Sequence, residues 1–122
     1  MPTTGLLGLS GAEREVVCQC LRAAVDGPFF PDFEFLALLG TERAELSALL
    51  DLWPRLDDTD GHIHALINNA ILNLLCYPHQ CEADWPKHIE VPVEEVGRIY
   101  AKWRGVRPKD YLDAKDYFDA ME

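Results

Sequence analysis

The stretch Cys76-Tyr77-Pro78-His79-Gln80-Cys81, with His88 seven residues further on, holds the densest set of soft donor atoms in the chain. Zinc takes thiolate and imidazole ligands in a tetrahedron, and short spacings let one loop supply several of them. Cys76, His79, Cys81 and His88 would make four. Against this, the chain has no Cys-x-x-Cys knuckle, and cysteine is among the most buried residue types in any core. The expectation is no cofactor, with zinc on these four residues as the alternative.

Other chemistry-bearing residues are sparser. Cys18 and Cys20 are two apart on a predicted helix, about 200° around its axis, so they cannot face one ion and read as structural. Asp58-Thr59-Asp60-Gly61 has the look of a calcium loop. Setting Gly61 at the sixth position, however, puts Leu56 first and Ile67 twelfth, where carboxylates are required. His62, Asn69 and Asn73 fall within about 40° on a helix and form a polar stripe on an otherwise apolar surface. They would satisfy the backbone of an adjacent loop, or else line a small pocket with His62 as general base. His64, at the apolar edge, reads as a packed histidine. No nucleophile elbow, phosphate-binding loop, zinc-protease helix or dinucleotide fingerprint is present, so catalysis is not the expected role.

With 21 acidic residues against 11 Lys and Arg, the formal net charge is −10. Such a surface repels phosphate backbones and anionic lipid and suits basic partners. A helix-turn-helix reading of Phe33–Trp53 fails on charge, because its second helix would start Thr41-Glu42-Arg43-Ala44-Glu45 and DNA requires Lys, Arg, Asn or Gln there. No run reaches the ~20 apolar residues of a membrane span. The N-terminus lacks the pattern of a secretory signal, and four cysteines without one suggest free thiols in the cytoplasm.

The elements that must position these residues all read as helices. Ser10 and Glu13 have capping-box spacing, followed by a stripe of Val17, Cys20, Leu21 and Ala24 that Asp26-Gly27-Pro28 ends. An aromatic stretch, 29–35, leads into a short helix stopped by Gly40. Thr41 is the expected cap of the next helix, whose Leu46, Leu49, Leu50 and Trp53 form a stripe closed by Pro54. Asp60 caps the strongest helix, with Ile63, Leu66, Ile67, Ala70, Ile71, Leu74 and Leu75 at helical spacing and a second strip of Ala65, Leu72 and Cys76. Val91-Pro92 opens another helix, with Glu94 placed to pair with Arg98, and Gly105 stops it. The fold class is all-α: a compact bundle of five to six helices in one domain, 1–122. Residues 1–9 are expected to be a flexible N-terminus, and 106–122 a C-terminal tail or docking helix carrying Tyr111, Phe118 and Met121.

An offset of fifty residues aligns the chain with itself without a gap. Ser10-Gly11 corresponds to Asp60-Gly61, Pro28 to Pro78, Phe35 to Trp85, Glu45-Leu46 to Glu95-Val96, and Trp53 to Trp103. Two similar helical halves are therefore expected. The period lies just beyond that of helical solenoid repeats, which offer surfaces to partners. Charge is uneven: residues 1–61 carry 11 acids and 4 bases, residues 62–122 carry 10 and 7. The run Arg98, Lys102, Arg104, Arg107 and Lys109 could complement a helix C-terminus or meet an acidic partner. The functional expectation is a protein-binding module, of inhibitor or immunity type, that presents Glu42, Glu45, Asp51, Asp57, Asp58 and Asp60 to a basic partner. A zinc- or His-dependent enzyme and a structural subunit of an oligomer are the alternatives.

Overall fold

Ser10 and Glu13 do close a capping box. The Ser10 hydroxyl accepts the Glu13 amide at 3.1 Å, and the Glu13 carboxylate accepts the Ser10 amide at 2.8 Å. They start α1 (Gly11–Asp26) of a computed structural model that describes residues 5–105. Five further helices follow: α2 (Asp32–Leu39), α3 (Arg43–Leu50), α4 (Gly61–Cys76), α5 (Trp85–His88, preceded by a 3-10 turn, Glu82–Asp84) and α6 (Val93–Arg104). No strand occurs among the described residues. The protein is an all-α bundle.

The offset of fifty is visible in three dimensions. Helices α1 and α4 are both sixteen residues long and begin and end fifty residues apart. Each starts with an oxygen-bearing cap, since Asp60 accepts the amides of His62 and Ile63 just as Ser10 accepts that of Glu13. Burial repeats as well: Val17 and Ile67, Leu21 and Ile71, Phe35 and Trp85, Leu39 and Ile89, and Leu46 and Val96 are all buried.

Packing between the halves is reciprocal. Helix α1 lies on α4; α1 also packs on α3 of its own half and α5 of the other, while α4 packs on α6 of its own half and α2 of the other. Exchanging the halves maps these five contacts onto themselves, while α1 with α6 and α2 with α3 lie outside the symmetric set. A solenoid stack would be directional, one repeat offering a face that the next repeat covers. Reciprocal contacts instead mark a closed pseudo-two-fold arrangement, the geometry of an isologous interface. The solenoid analogy is thereby corrected. Helices α1 and α4 share the centre of the bundle.

Smaller differences have local causes. Thr41 is not the cap of α3. Glu42 holds that position without a side-chain bond, and Thr41 is buried, its hydroxyl donating to Glu45 at 2.7 Å. Residues 5–9 are docked instead of free: Leu6 and Leu9 are buried, and the Gly5 amide donates to the Trp103 carbonyl at 2.9 Å. The expected C-terminal element at 106–122 lies outside the described residues.

One side chain ties three segments of the first half together. The Arg43 guanidinium donates to the carbonyls of Ala24, Val25 and Phe30 and pairs with Asp32, while its Cζ sits 4.4 Å above the Phe35 ring. A helix leaves its last four carbonyls unpaired, and at α1 a fork-shaped cation fills that gap. Arg43→Ala should cost about 2–3 kcal/mol in urea unfolding, and Arg43→Lys should recover less than half, because an ammonium cannot present the planar fork.

Candidate functional site

The six acidic residues expected to meet a partner do not all face outward. Asp58 is half-buried, and its Oδ2 accepts both the Leu6 amide and the Trp103 indole N–H, each at 2.8 Å. Two donors from opposite ends of the described chain hold that carboxylate, so Asp58 is a structural acceptor and leaves the proposed patch. Asp57 folds back on Thr59, whose hydroxyl and amide hold its carboxyl below the usual range. Asp60 caps α4, and Glu45 receives Thr41. Glu42, Asp51 and Asp57 are exposed and make no ion pair among the described residues.

Beside Glu42 lies a feature the sequence reading missed. Phe33 is 84% exposed and Leu36 57% exposed, both on α2. They border a groove of about 530 Å³ lined also by Asp32, Phe35, Glu42, Arg43 and Ala44. The signal was present in the spacing. Phe35 and Leu39, four apart, point to the core, and Phe33 lies about 200° from Phe35 on the helix. Large apolar side chains exposed together and rimmed by charge are a feature of interaction surfaces.

The polar stripe divides. Asn69 Nδ2 donates to the Leu39 carbonyl at 3.1 Å and Asn73 Nδ2 to the Leu38 carbonyl at 3.0 Å, so both satisfy the end of α2. Gln19, fifty residues before Asn69, also reaches the other half, but as an acceptor, taking the Glu90 amide at 2.9 Å. His62 is exposed at the start of α4 and does not join them. His64 stacks on Trp103 with ring centroids 4.6 Å apart.

The soft donors are not gathered. Among the described residues no three His, Cys, Asp or Glu side chains come together as a metal site. His79 Nδ1 accepts the Cys81 amide at 2.9 Å, which leaves the Nε2 proton for the Leu74 carbonyl at 3.1 Å. The Cys81 thiol turns to the carbonyls of His79 and Pro28. His88 meets the Phe29 ring edge-on, and Cys76 is buried. Burial pushes the Cys20 thiol up to about 12 and also raises Cys18 and Cys81. Raised pKa values of this kind describe unreactive thiols.

Comparison with known proteins adds nothing to this chemistry. No family model, curated protein or solved structure matches the chain.

The described members of the basic run are exposed but paired within the chain. Lys102 and Arg98 reach across from α6 to the buried Glu13 at 2.8 and 3.1 Å, and Arg98 also pairs with Glu95 in place of the expected Glu94. Arg104 donates to Asn68 and to the Tyr100 hydroxyl. Arg107 and Lys109 lie outside the described residues. The hydrogen bond from Lys102, with that from the Ser10 amide and with Arg98, lowers the Glu13 pKa from 4.5 to about 2. A depressed carboxyl stabilises the fold above its unfolded pKa and loses that contribution as pH falls through its folded one. Glu13→Gln should therefore cost about 1–3 kcal/mol at neutral pH, with the half-exposed cations discounting the full shift. The difference between variant and parent should shrink as pH falls from 4.5 to about 2, as read by urea titration across that window.

Proposed function

We propose that this protein is a non-enzymatic binding module that receives a basic protein surface on its α2–α3 face, as an inhibitor or immunity protein masks its target. The observation that carries the reading is the pairing of Phe33 and Leu36, exposed three residues apart, with Asp32 and Glu42 along one groove. An aromatic anchor supplies most of the affinity at such interfaces, while a charged rim steers the encounter and selects the sign of the partner.

Charge supports the same reading. Between residues 5 and 105 there are sixteen acids and eight bases. Arg43, Lys87, Arg98, Lys102 and Arg104 of those bases are already engaged with this chain's own oxygens. Glu42, Asp51 and Asp57 remain to act on a partner. No helix among the described residues is long and apolar enough to cross a membrane.

The test begins with the partner captured from the native host and proceeds to kinetics. Phe33→Ala should weaken binding at least about tenfold through faster dissociation. It should leave the melting temperature nearly unchanged, because the residue is 84% exposed. Reversing Glu42, Asp51 and Asp57 to Lys together should slow association about tenfold or more at low salt, and the effect should fade as salt is raised. Binding indifferent to Phe33→Ala would remove this face from consideration, whatever the charge reversal does.

A further inference from the structure

At an offset of fifty residues, one position of the second half lacks a side chain that the first half carries, while an acidic and an aromatic neighbour have counterparts. In the first half the Arg43 guanidinium is held by five partners: the carbonyls of Ala24, Val25 and Phe30, the Asp32 carboxylate and the Phe35 ring. Their counterparts are Leu74, Leu75, Gln80, Glu82 and Trp85, and the counterpart of Arg43 is Val93. All six of these line one cavity of about 350 Å³ at the end of α4. Where the first half holds a cation, the second holds a hole.

The walls suit the missing group. Glu82 retains the carboxylate of Asp32 one methylene longer. Trp85 replaces Phe35 with the aromatic that attracts cations best, and its indole N–H is fixed by the Val91 carbonyl at 2.8 Å. Leu74 and Leu75 contribute last-turn carbonyls, at the helix end where the dipole favours a cation. The His79 amide, which would pair with Leu75 if α4 continued, donates to Tyr77 instead. Leu74 already accepts His79 Nε2, and a carbonyl has a second lone pair. Gln80 is the one member whose backbone departs from its counterpart, with a left-handed φ of 57°. Val93 contributes too little volume to fill the space and no charge to neutralise Glu82.

We propose that this cavity is a receptor for an alkylguanidinium, the side chain of an arginine residue donated by a protein partner. The fold itself contains the occupied form of the site, with Arg43 as the ligand. Planarity and five donors match a carboxylate plus converging carbonyls, which the point charge of a lysine does not. The site stands on the comparison of the halves and is separate from the α2–α3 face, so the failure of either leaves the other in place.

The test is a titration of the full chain with N-acetyl-arginine methylamide, followed by amide and indole NMR shifts. Saturable shifts confined to Tyr77–Glu82, Val93 and the Trp85 indole support the site. So does their loss in Val93→Arg, which puts the first half's side chain back at the equivalent place. Glu82→Gln should weaken binding about tenfold, and Phe33→Ala should not affect it. Should Val93→Arg not fold, the Glu82→Gln comparison decides alone. The proposal is overturned if the arginine probe gives no localised shifts, or if N-acetyl-lysine methylamide binds equally well. Tighter binding of free arginine than of the blocked form would overturn the protein source and point to a small-molecule site.

Discussion

The contact between α1 and α4 is the constraint on which the remaining packing depends. Each of these sixteen-residue helices carries an apolar surface too wide for one neighbour to cover. Small buried residues at Cys20, Ala24 and Ala70 allow close approach of backbones. What α1 and α4 leave uncovered is then closed by further helices from both halves, α3, α5 and α6 on α1 and α2 and α6 on α4. The second helices cross over: α2 rests on α4 and α5 on α1. Neither half therefore contains its whole core, and the two must fold as one unit for Leu39 and Ile89 to be buried at all.

Local signals were legible because their physics is local. The capping box at Ser10 and Glu13, the Asp60 cap, the left-handed stop at Gly40 and the apolar stripes all act within a few residues, and the offset of fifty repeats such signals in order. Partnerships across the chain were not legible. Asp58 in a run of acids looks like solvent-facing charge, and only the approach of Leu6 and Trp103 turns it inward. Arg98 had an adequate partner in Glu94 by spacing, yet it pairs with Glu95 on its own helix and with a buried carboxylate on α1. The soft donors stay apart for a related reason: proximity in sequence says nothing about which lone pairs the backbone has already engaged. The exposed Phe33 and Leu36 could have been read from their angle to Phe35, had the short helix been treated as amphipathic.

The places where the halves differ are as ordered as the places where they agree. Glu13 in α1 corresponds to Ile63 in α4, and its two cations, Arg98 and Lys102, correspond to Ala48 and Leu52. All three positions change character together, from an ion cluster in one location to apolar residues in the other. A buried carboxylate without its cations would cost several kcal/mol, whereas a cluster and its apolar replacement can be nearly equal in stability. That is why the exchange is made as a set or not at all. The Arg43 socket breaks this rule. There the cation alone is replaced, by Val93, while the carboxylate and the aromatic persist as Glu82 and Trp85. Unlike the Glu13 cluster, this site has an acid in both halves. Glu82 is solvent-exposed, so stability does not force its removal, and the second half is left with an acidic, aromatic cavity that the first half closes with its own arginine.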